Sequence, residues 1–157
     1  MSAKMRMTTK PSRLAAVLLV AFCGVLAGCG GGQSANKNVK AVGPRPTPGT
    51  PQQQAALERA ESILQRIRDG EDFAMLARRY SEDPGSRNSG GEYIFGHGKM
   101  TPAFEAAAFA LEPGEVSDIV ETPFGYHIIK TEEYINRGTP QEQVRARHIL
   151  IKTQPGP

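Results

Sequence analysis

The stretches TPFGYHIIK (122–130) and RARHILIK (145–152) decide the fold of this chain. In the second stretch every second residue lies on the same face of an extended chain, and apolar residues occupy both faces after His148. This pattern predicts a strand that is buried on both sides toward its end. About eight polar or turn-forming residues separate it from a strand predicted at 126–134, so a hairpin connection is expected. The hairpin would place His127 and His148 side by side.

Helical patterns precede the hairpin. Apolar residues at helical spacing predict a long helix from near Gln52 to Asp69 and shorter helices at 73–80 and 102–111. Short strands are predicted at 92–95 and 116–121. Helices that are segregated from strands favour an α+β fold with an antiparallel sheet.

The basic character of the chain is concentrated at its N-terminus. The formal net charge is +3, from 19 basic and 16 acidic residues. Four of the basic residues and none of the acidic ones lie in residues 1–28, which leaves 15 basic against 16 acidic residues in the remainder. A remainder without excess positive charge argues against nucleic acid as a partner.

Residues 1–28 are typical of a secretory signal peptide. A basic segment at 4–13 precedes an apolar segment at 14–26, which is too short for a comfortable membrane span of ~20 residues. The ending LAGC at 26–29 resembles the lipobox of bacterial lipoproteins. This resemblance implies cleavage before Cys29, lipidation of Cys29 and a lipid anchor in the cell envelope. The alternatives are an unmodified Cys29 after an ordinary signal, or a segment that is retained as an anchor.

A tether is predicted between this anchor and the folded domain. Residues 29–51 contain GGG at 30–32, then polar residues and four prolines. Glycine-rich chain is flexible and proline-rich chain is extended and stiffer, and neither buries a core. The folded domain is therefore expected to occupy residues 52–157.

Several stretches together resemble the parvulin family of peptidyl-prolyl cis/trans isomerases, or rotamases. ILQRIRDGEDFAMLARRY (63–80) is similar to the first helices of that family, and YSEDPGS (80–86), followed by GGE (90–92), is similar to its active-site loop. The residues from Gly98 to Leu111 resemble its substrate-pocket helix, and those at 113–130 its last two strands. The order and spacing of these pieces carry the resemblance. It implies an α+β fold with a parvulin/FKBP-like, antiparallel four-stranded sheet flanked by helices.

The chain departs from the family pattern in two places. The stretch GGEYIF (90–95) is one residue shorter than the family's usual form, and the family's first strand, x-Ala-x-His-Ile-Leu-x-Lys, stands at 145–152 instead of before the first helix. Either the domain is circularly permuted, or 144–157 begins a second, truncated repeat. We favour docking of 144–152 within this chain, because the sheet otherwise lacks a central strand and Ile128 and Ile129 lack a partner.

The resemblance also implies a site for a reaction that requires no nucleophile, metal or cofactor. Substrate binding is assigned to an apolar slot that holds a proline ring, formed by Met100 and Phe104 with Phe95 and Tyr93 as walls. The polar, catalytic part is assigned to His127, His148, Asp83 and Thr122. Two adjacent imidazoles can fix each other's tautomers, while two histidines without a third ligand make a poor metal site. Asp83 would face the amide, although an Asp before Pro84 also suits an ordinary turn.

The expected function is therefore isomerisation of X-Pro bonds in exported polypeptides that are folding at the cell envelope. The alternative of another class is a non-catalytic chaperone that binds peptides on the same fold, because a fold alone does not fix an activity. A lipoprotein in which the domain is only a spacer is a third hypothesis.

Overall fold

A computed structural model of the chain describes residues 38–153. The predicted signal segment at 1–28 and the predicted lipidation site at Cys29 lie outside these residues. Within the part that is described, no helix combines the length and apolarity that crossing a bilayer requires.

Three α-helices form where the sequence predicts them: α1 (Pro51–Arg68), α2 (Phe73–Tyr80) and α3 (Pro102–Ala110). Local signals fix the beginnings of α1 and α2. The side chain of Thr50 accepts a hydrogen bond from the N–H of Gln53, and that of Asp72 accepts one from the N–H of Met75. These caps satisfy backbone donors that a helix leaves unpaired in its first turn.

The strands form one sheet. They are β1 (Val39–Lys40), β2 (Glu92–Gly96), β3 (Val116–Ser117), β4 (Val120–Thr122), β5 (Gly125–Ile135) and β6 (Gln143–Lys152). The order along the sheet is β1-β3-β5-β6-β2, and β4 also pairs with β5. The segment predicted as one strand at 116–121 is therefore two short strands.

The hairpin that the sequence predicts is the centre of the sheet. Strands β5 and β6 are antiparallel, with Ile128 opposite Ile149 and Ile129 opposite His148. On its other edge β6 pairs with β2, with Tyr93 opposite Ala146. The docking of 144–152 within this chain is thus confirmed, and the segment provides a central strand.

Each face of the sheet is covered by different helices. Helices α1 and α2 pack on the face that carries Ile128, Ile149 and Ile151. Helix α3 packs on the opposite face, against Ile129 and Val144. Alternation along the two strands puts His127 and His148 on the α3 face, so the site forms on that side.

Residues 38–50 correct the predicted tether. Val39 and Lys40 pair in parallel with β3, and Pro46 is buried. Lys40 further donates a hydrogen bond from Nζ to the carbonyl of Ala110 at 2.7 Å. The tether prediction is therefore wrong from residue 38 onward, and the packed domain begins before Gln52. The predicted α+β fold with a sheet flanked by helices is confirmed, but the sheet has six strands among residues 38–153 instead of four, and one pair is parallel.

Candidate active site

Two buried histidines lie at the floor of the site. His127 is opposite Leu150, and His148 is opposite Ile129, so the two imidazoles are diagonal neighbours across the hairpin. Their Nδ1 atoms are 3.2 Å apart, and each residue is 5% exposed. The structure thus brings together the two imidazoles that the sequence predicts to be adjacent.

The outer nitrogens of this pair contact two further predicted residues. His127 Nε2 lies 2.9 Å from Thr122 Oγ1, and His148 Nε2 lies 3.0 Å from Asp83 Oδ2. Ser86 Oγ is 2.8 Å from the same nitrogen of His148. Thr122, both histidines, Ser86 and Asp83 therefore form a continuous row of polar contacts.

Burial keeps both imidazoles neutral near pH 7. It lowers the pKa of His127 to about 3, and repulsion between the two rings when both carry a proton lowers it further. The pKa of His148 is also lowered by burial, although Asp83 opposes that shift. Burial alone would raise the pKa of Asp83, but hydrogen bonding from Ser86 and attraction to His148 lower it. The site thus holds an ionised carboxylate beside two neutral rings.

These charge states set the direction of proton donation. An ionised carboxylate only accepts hydrogen bonds, so His148 donates from Nε2 to Asp83. Its Nδ1 is then unprotonated and accepts from Nδ1–H of His127. His127 Nε2 in turn accepts from the hydroxyl of Thr122. Every donor in the row points toward Asp83, and this fixes both tautomers.

The carboxylate of Asp83 accepts more hydrogen bonds than its own turn requires. Its Oδ2 accepts from the N–H and hydroxyl of Ser86 and from the hydroxyl of Tyr93, and its Oδ1 accepts from the N–H of Gly85. Burial raises the pKa of Tyr93, and the carboxylate of Asp83 raises it further, so the phenol keeps its proton. Asp83 therefore shapes its turn and also belongs to the polar row.

The loop that carries Asp83 is fastened directly to β6. The N–H of Glu82 donates to the carbonyl of Leu150 at 2.8 Å, and the N–H of His148 donates to the carbonyl of Gly91, also at 2.8 Å. Gly91 has a φ of 81°, and a side chain there would place Cβ 2.2 Å from the carbonyl oxygen of His148. Only glycine fits this close approach.

An open cleft of about 690 Å³ lies above the polar row. Its volume is in the range of pockets that hold small ligands. Three of the four predicted substrate-binding residues line it, namely Met100, Phe104 and Tyr93. The ring of Phe104 meets both imidazoles almost at right angles, with centroids 5.2 Å from His127 and 5.3 Å from His148. The apolar and polar parts of the predicted site are therefore in direct contact.

Phe95 lies elsewhere than the sequence predicts. It is 4% exposed and packs behind Phe104, with ring centroids 5.7 Å apart. It is absent from the lining of the cleft, so its assignment as a pocket wall is corrected to that of a core residue that supports Phe104. Tyr93 and Phe95 share one face of β2, and only Tyr93 reaches the cleft.

Sequence reasoning missed several residues of the site. Ser86 is fully buried between Asp83 and His148, yet in sequence it is one more turn-forming residue. Phe124 and Leu150 also line the cleft. Alternation along β6 puts Leu150 on the same face as His148, so the sequence could have predicted Leu150 as a residue of the site. Among residues 38–153, no group of three or more His, Cys, Asp or Glu side chains is arranged to hold a metal ion.

Comparison with known proteins places these features in a family. The rotamase family model, described as the PPIC-type PPIase domain, matches residues 42–133. Foldase protein PrsA 4 of Bacillus cereus is 54% identical over 72 residues, which are 45% of this chain and 26% of that protein. Foldase protein PrsA of Oceanobacillus iheyensis is 44% identical over 101 residues, which are 60% of this chain and 34% of that protein.

A solved structure is similar as well. The crystal structure of peptidylprolyl isomerase (PrsA) from Bacillus cereus is 53% identical, with a TM-score of 0.45, and the match covers 46% of this chain and 29% of that one. The chain spans about a quarter to a third of the length of the curated relatives it matches. The family match covers more than half of the chain and ends before β6. The chain belongs to the rotamase family of PPIC-type peptidyl-prolyl isomerase domains, as its resemblance to parvulins predicts.

Proposed function

We propose that this chain catalyses the cis/trans isomerisation of X-Pro bonds in polypeptides, and thereby assists their folding. The observation that carries the proposal is the cleft, in which an apolar slot lies directly over a buried, hydrogen-bonded row that ends in a carboxylate. Family membership supports the same reaction, and the relatives are named as foldases.

The reaction requires no covalent bond between the protein and the substrate. Rotation about the X-Pro bond has a barrier of ~18–20 kcal/mol because the planar amide loses its conjugation on twisting. An enzyme accelerates it by binding the twisted amide more tightly than either planar form. The protein must therefore hold the proline ring, leave the preceding carbonyl free to rotate and keep water away from the amide.

Met100 and Phe104 are assigned to the proline ring. Phe104 offers a buried aromatic surface that Phe95 supports from behind. Met100 is half-buried, and a methionine side chain is flexible. It can therefore stay in contact with the proline ring while the X-Pro bond rotates. Tyr93 closes the slot on the side of β2, where its hydroxyl is held by Asp83 at 3.1 Å.

Asp83 is assigned to the carbonyl of the residue before proline. A planar amide carries partial negative charge on its oxygen, and twisting reduces that charge. An ionised carboxylate nearby disfavours the planar form relative to the twisted one. His127, His148 and Thr122 then act as positioning residues, because they hold Asp83 through fixed tautomers and no proton is transferred in the reaction.

Isomerisation of a short prolyl peptide by the purified full chain, kept in a mild detergent, tests this proposal. We expect catalysed exchange between cis and trans peptide by NMR, and a large loss of kcat/KM in Phe104→Ala and His127→Ala. Met75→Ala is the matched control, because Met75 is an exposed methionine on α2 outside the cleft. Peptide binding without catalysed exchange would instead support a non-catalytic chaperone, and neither binding nor exchange would support a spacer.

We further propose that the chain acts at the cell envelope on exported polypeptides, anchored by lipid on Cys29. The signal-like segment and the LAGC ending at 26–29 support this location. Metabolic labelling with a radioactive fatty acid tests the anchor, with label expected on the wild type and lost in Cys29→Ser. Cys23→Ser is the matched control, because Cys23 leaves with a cleaved signal. Label that persists in Cys29→Ser would refute the lipid anchor.

A further inference from the structure

Phe124 is an aromatic side chain that the proposed reaction leaves without a role. It lies in the turn between β4 and β5 and is 63% exposed. Among residues 38–153, two other large hydrophobic side chains are comparably exposed, Met75 at 56% and Ile94 at 54%. Phe124 differs from both because its ring lines the cleft beside Leu150 and Lys152. An apolar ring in water at the mouth of a binding cleft gains free energy when a ligand covers it.

The turn that presents this ring is tied to the floor of the site. The N–H of Phe124 donates to Thr122 Oγ1 at 3.2 Å, and that hydroxyl contacts His127. Gly125, the next residue, packs so closely on β6 that an added Cβ would lie 2.2 Å from the carbonyl oxygen of Ile151. The backbone of Phe124 is therefore held in place before any ligand binds, which reduces the entropy lost on binding.

The position of the ring separates it from the slot for proline. Met100 and Phe104 belong to α3 and the loop before it, whereas Phe124 belongs to the β4–β5 turn, next to the pairing of Gly125 with Lys152. The cleft is large enough to receive residues that flank a proline as well as the proline itself. A ring at its edge is placed to contact such a flanking side chain.

We propose that Phe124 is a specificity-determining residue, which selects X-Pro segments that carry a large apolar side chain next to the proline. This proposal rests on the proposed function and names its preferred substrate class. The ring of Phe124 would pack against an aromatic or branched aliphatic side chain of the substrate. Both side chains lose exposed apolar surface on binding. Unfolded polypeptides expose such segments, and folded ones bury them.

A peptide series read out by NMR exchange with the full chain tests the assignment. The peptides differ only in having Ala, Leu or Phe immediately before the proline, or immediately after it. We expect wild-type kcat/KM to be higher for Leu and Phe than for Ala at one of these positions. Phe124→Ala should reduce that Leu-to-Ala selectivity ratio about fivefold, the loss expected for part of an aromatic contact. Phe124→Leu should restore most of the ratio.

Met75→Ala and Ile94→Ala serve as controls, since each removes a comparably exposed apolar side chain outside the cleft. Their selectivity ratios should equal that of the wild type. An unchanged ratio in Phe124→Ala, an equal loss for all peptides, or rates that follow the charge of the flanking residue instead of its size would overturn the proposal. If the wild type shows no catalysed exchange, the proposed reaction fails. In that case the Leu-to-Ala ratio of peptide dissociation constants, compared between the wild type and Phe124→Ala, tests the role of Phe124 in binding.

Discussion

The loop that carries Asp83 and the helix that carries Phe104 both line the cleft, but different interactions hold them to the domain. The loop is attached to β6 by directed hydrogen bonds, such as Leu150 N–H to Ser81 Oγ at 3.2 Å. Helix α3 is attached by apolar packing of Ala107 and Ala108 on the sheet, with hydrogen bonds at its C-terminal carbonyls. Directed bonds fix distances within narrow limits, whereas apolar packing tolerates changes of shape at constant volume.

This contrast suggests a division of labour. The hydrogen-bonded side determines where one carboxylate oxygen lies, and the packed side provides area for binding. Substitutions that keep size but change hydrogen bonding should therefore be costly in the loop, and substitutions that keep volume should be mild on the helix side.

Removal of β6 should have the largest effect, because both sides of the cleft depend on it. A chain that ends at Glu142 loses His148 and the β6 backbone to which the loop is hydrogen-bonded. It also loses the buried residues Val144, Ile149 and Ile151. We expect it to lack a cooperative unfolding transition by circular dichroism. A chain that ends at Thr153 keeps every residue of β6 and is expected to fold. Cooperative unfolding of the shorter chain would show that the sheet does not need its central strand.

Asp83→Asn should break the hydrogen-bonded side with little change in size. The neutral amide accepts more weakly from His148, Ser86 and Tyr93, and hydrogen bonds to a charged group contribute about 1.5–3 kcal/mol, so kcat/KM should fall about tenfold to a hundredfold. The ring ¹⁵N shifts of His148 should change as well, because its tautomer loses its partner. Met100→Leu is the matched change on the packed side and should cost less than about tenfold. Equal losses in the two variants would contradict the division of labour.

Acid should destabilise the domain through the two buried histidines. The pKa values of His127 and His148 are lowered by folding, so the unfolded chain binds more protons below about pH 6.5. Stability is then fully present above this pH and is lost as pH falls, by up to about 1.4 kcal/mol per pH unit for each histidine. Urea unfolding between pH 7 and pH 4.5 measures the slope, and His127→Gln should reduce it. The range stays above the lowered pKa of Asp83.

Arg147→Met should have the smallest effect of the series and tests how the loop is held. Its guanidinium donates to the carbonyls of Ser89 and Gly90 at 3.0 and 3.1 Å and pairs with Glu92 at 2.8 Å. Loss of these bonds should lower kcat/KM about threefold to tenfold by loosening the loop, for about 1 kcal/mol of hydrogen bonding. The control is Arg145→Met, two residues earlier on the same face of β6, whose ion pair goes to Glu133. Similar losses in both variants would exclude a specific role for Arg147.

The central hairpin was predictable because its signals are local. Alternation along 144–152, a strand pattern at 126–134 and polar residues between them suffice to pair His127 with His148. The three helices also follow from periodicity and end signals. Residues 38–40 carried no comparable signal, because a two-residue strand shows no alternation and its neighbours are rich in glycine and proline.

The site was predictable only where it follows from strand geometry. Ser86 is buried because a loop docks on a strand 62 residues away, and no local pattern reports that contact. Tyr93 and Phe95 have the same alternation, so their sequence cannot tell which one reaches the cleft. That distinction depends on where α3 lies across the sheet, which is set by packing between distant segments.

The bonds between the loop and β6 have a consequence for the order of folding. They join residues 57 to 70 positions apart, from Gly91 with His148 to Glu82 with Lys152, whereas the hairpin joins near neighbours in sequence. Closing such long loops costs conformational entropy before the stabilising contacts form. The hairpin should therefore become native-like first, and the loop should dock last. Activity recovered during refolding should lag behind the appearance of β-structure, since a chain with an intact hairpin still lacks its carboxylate.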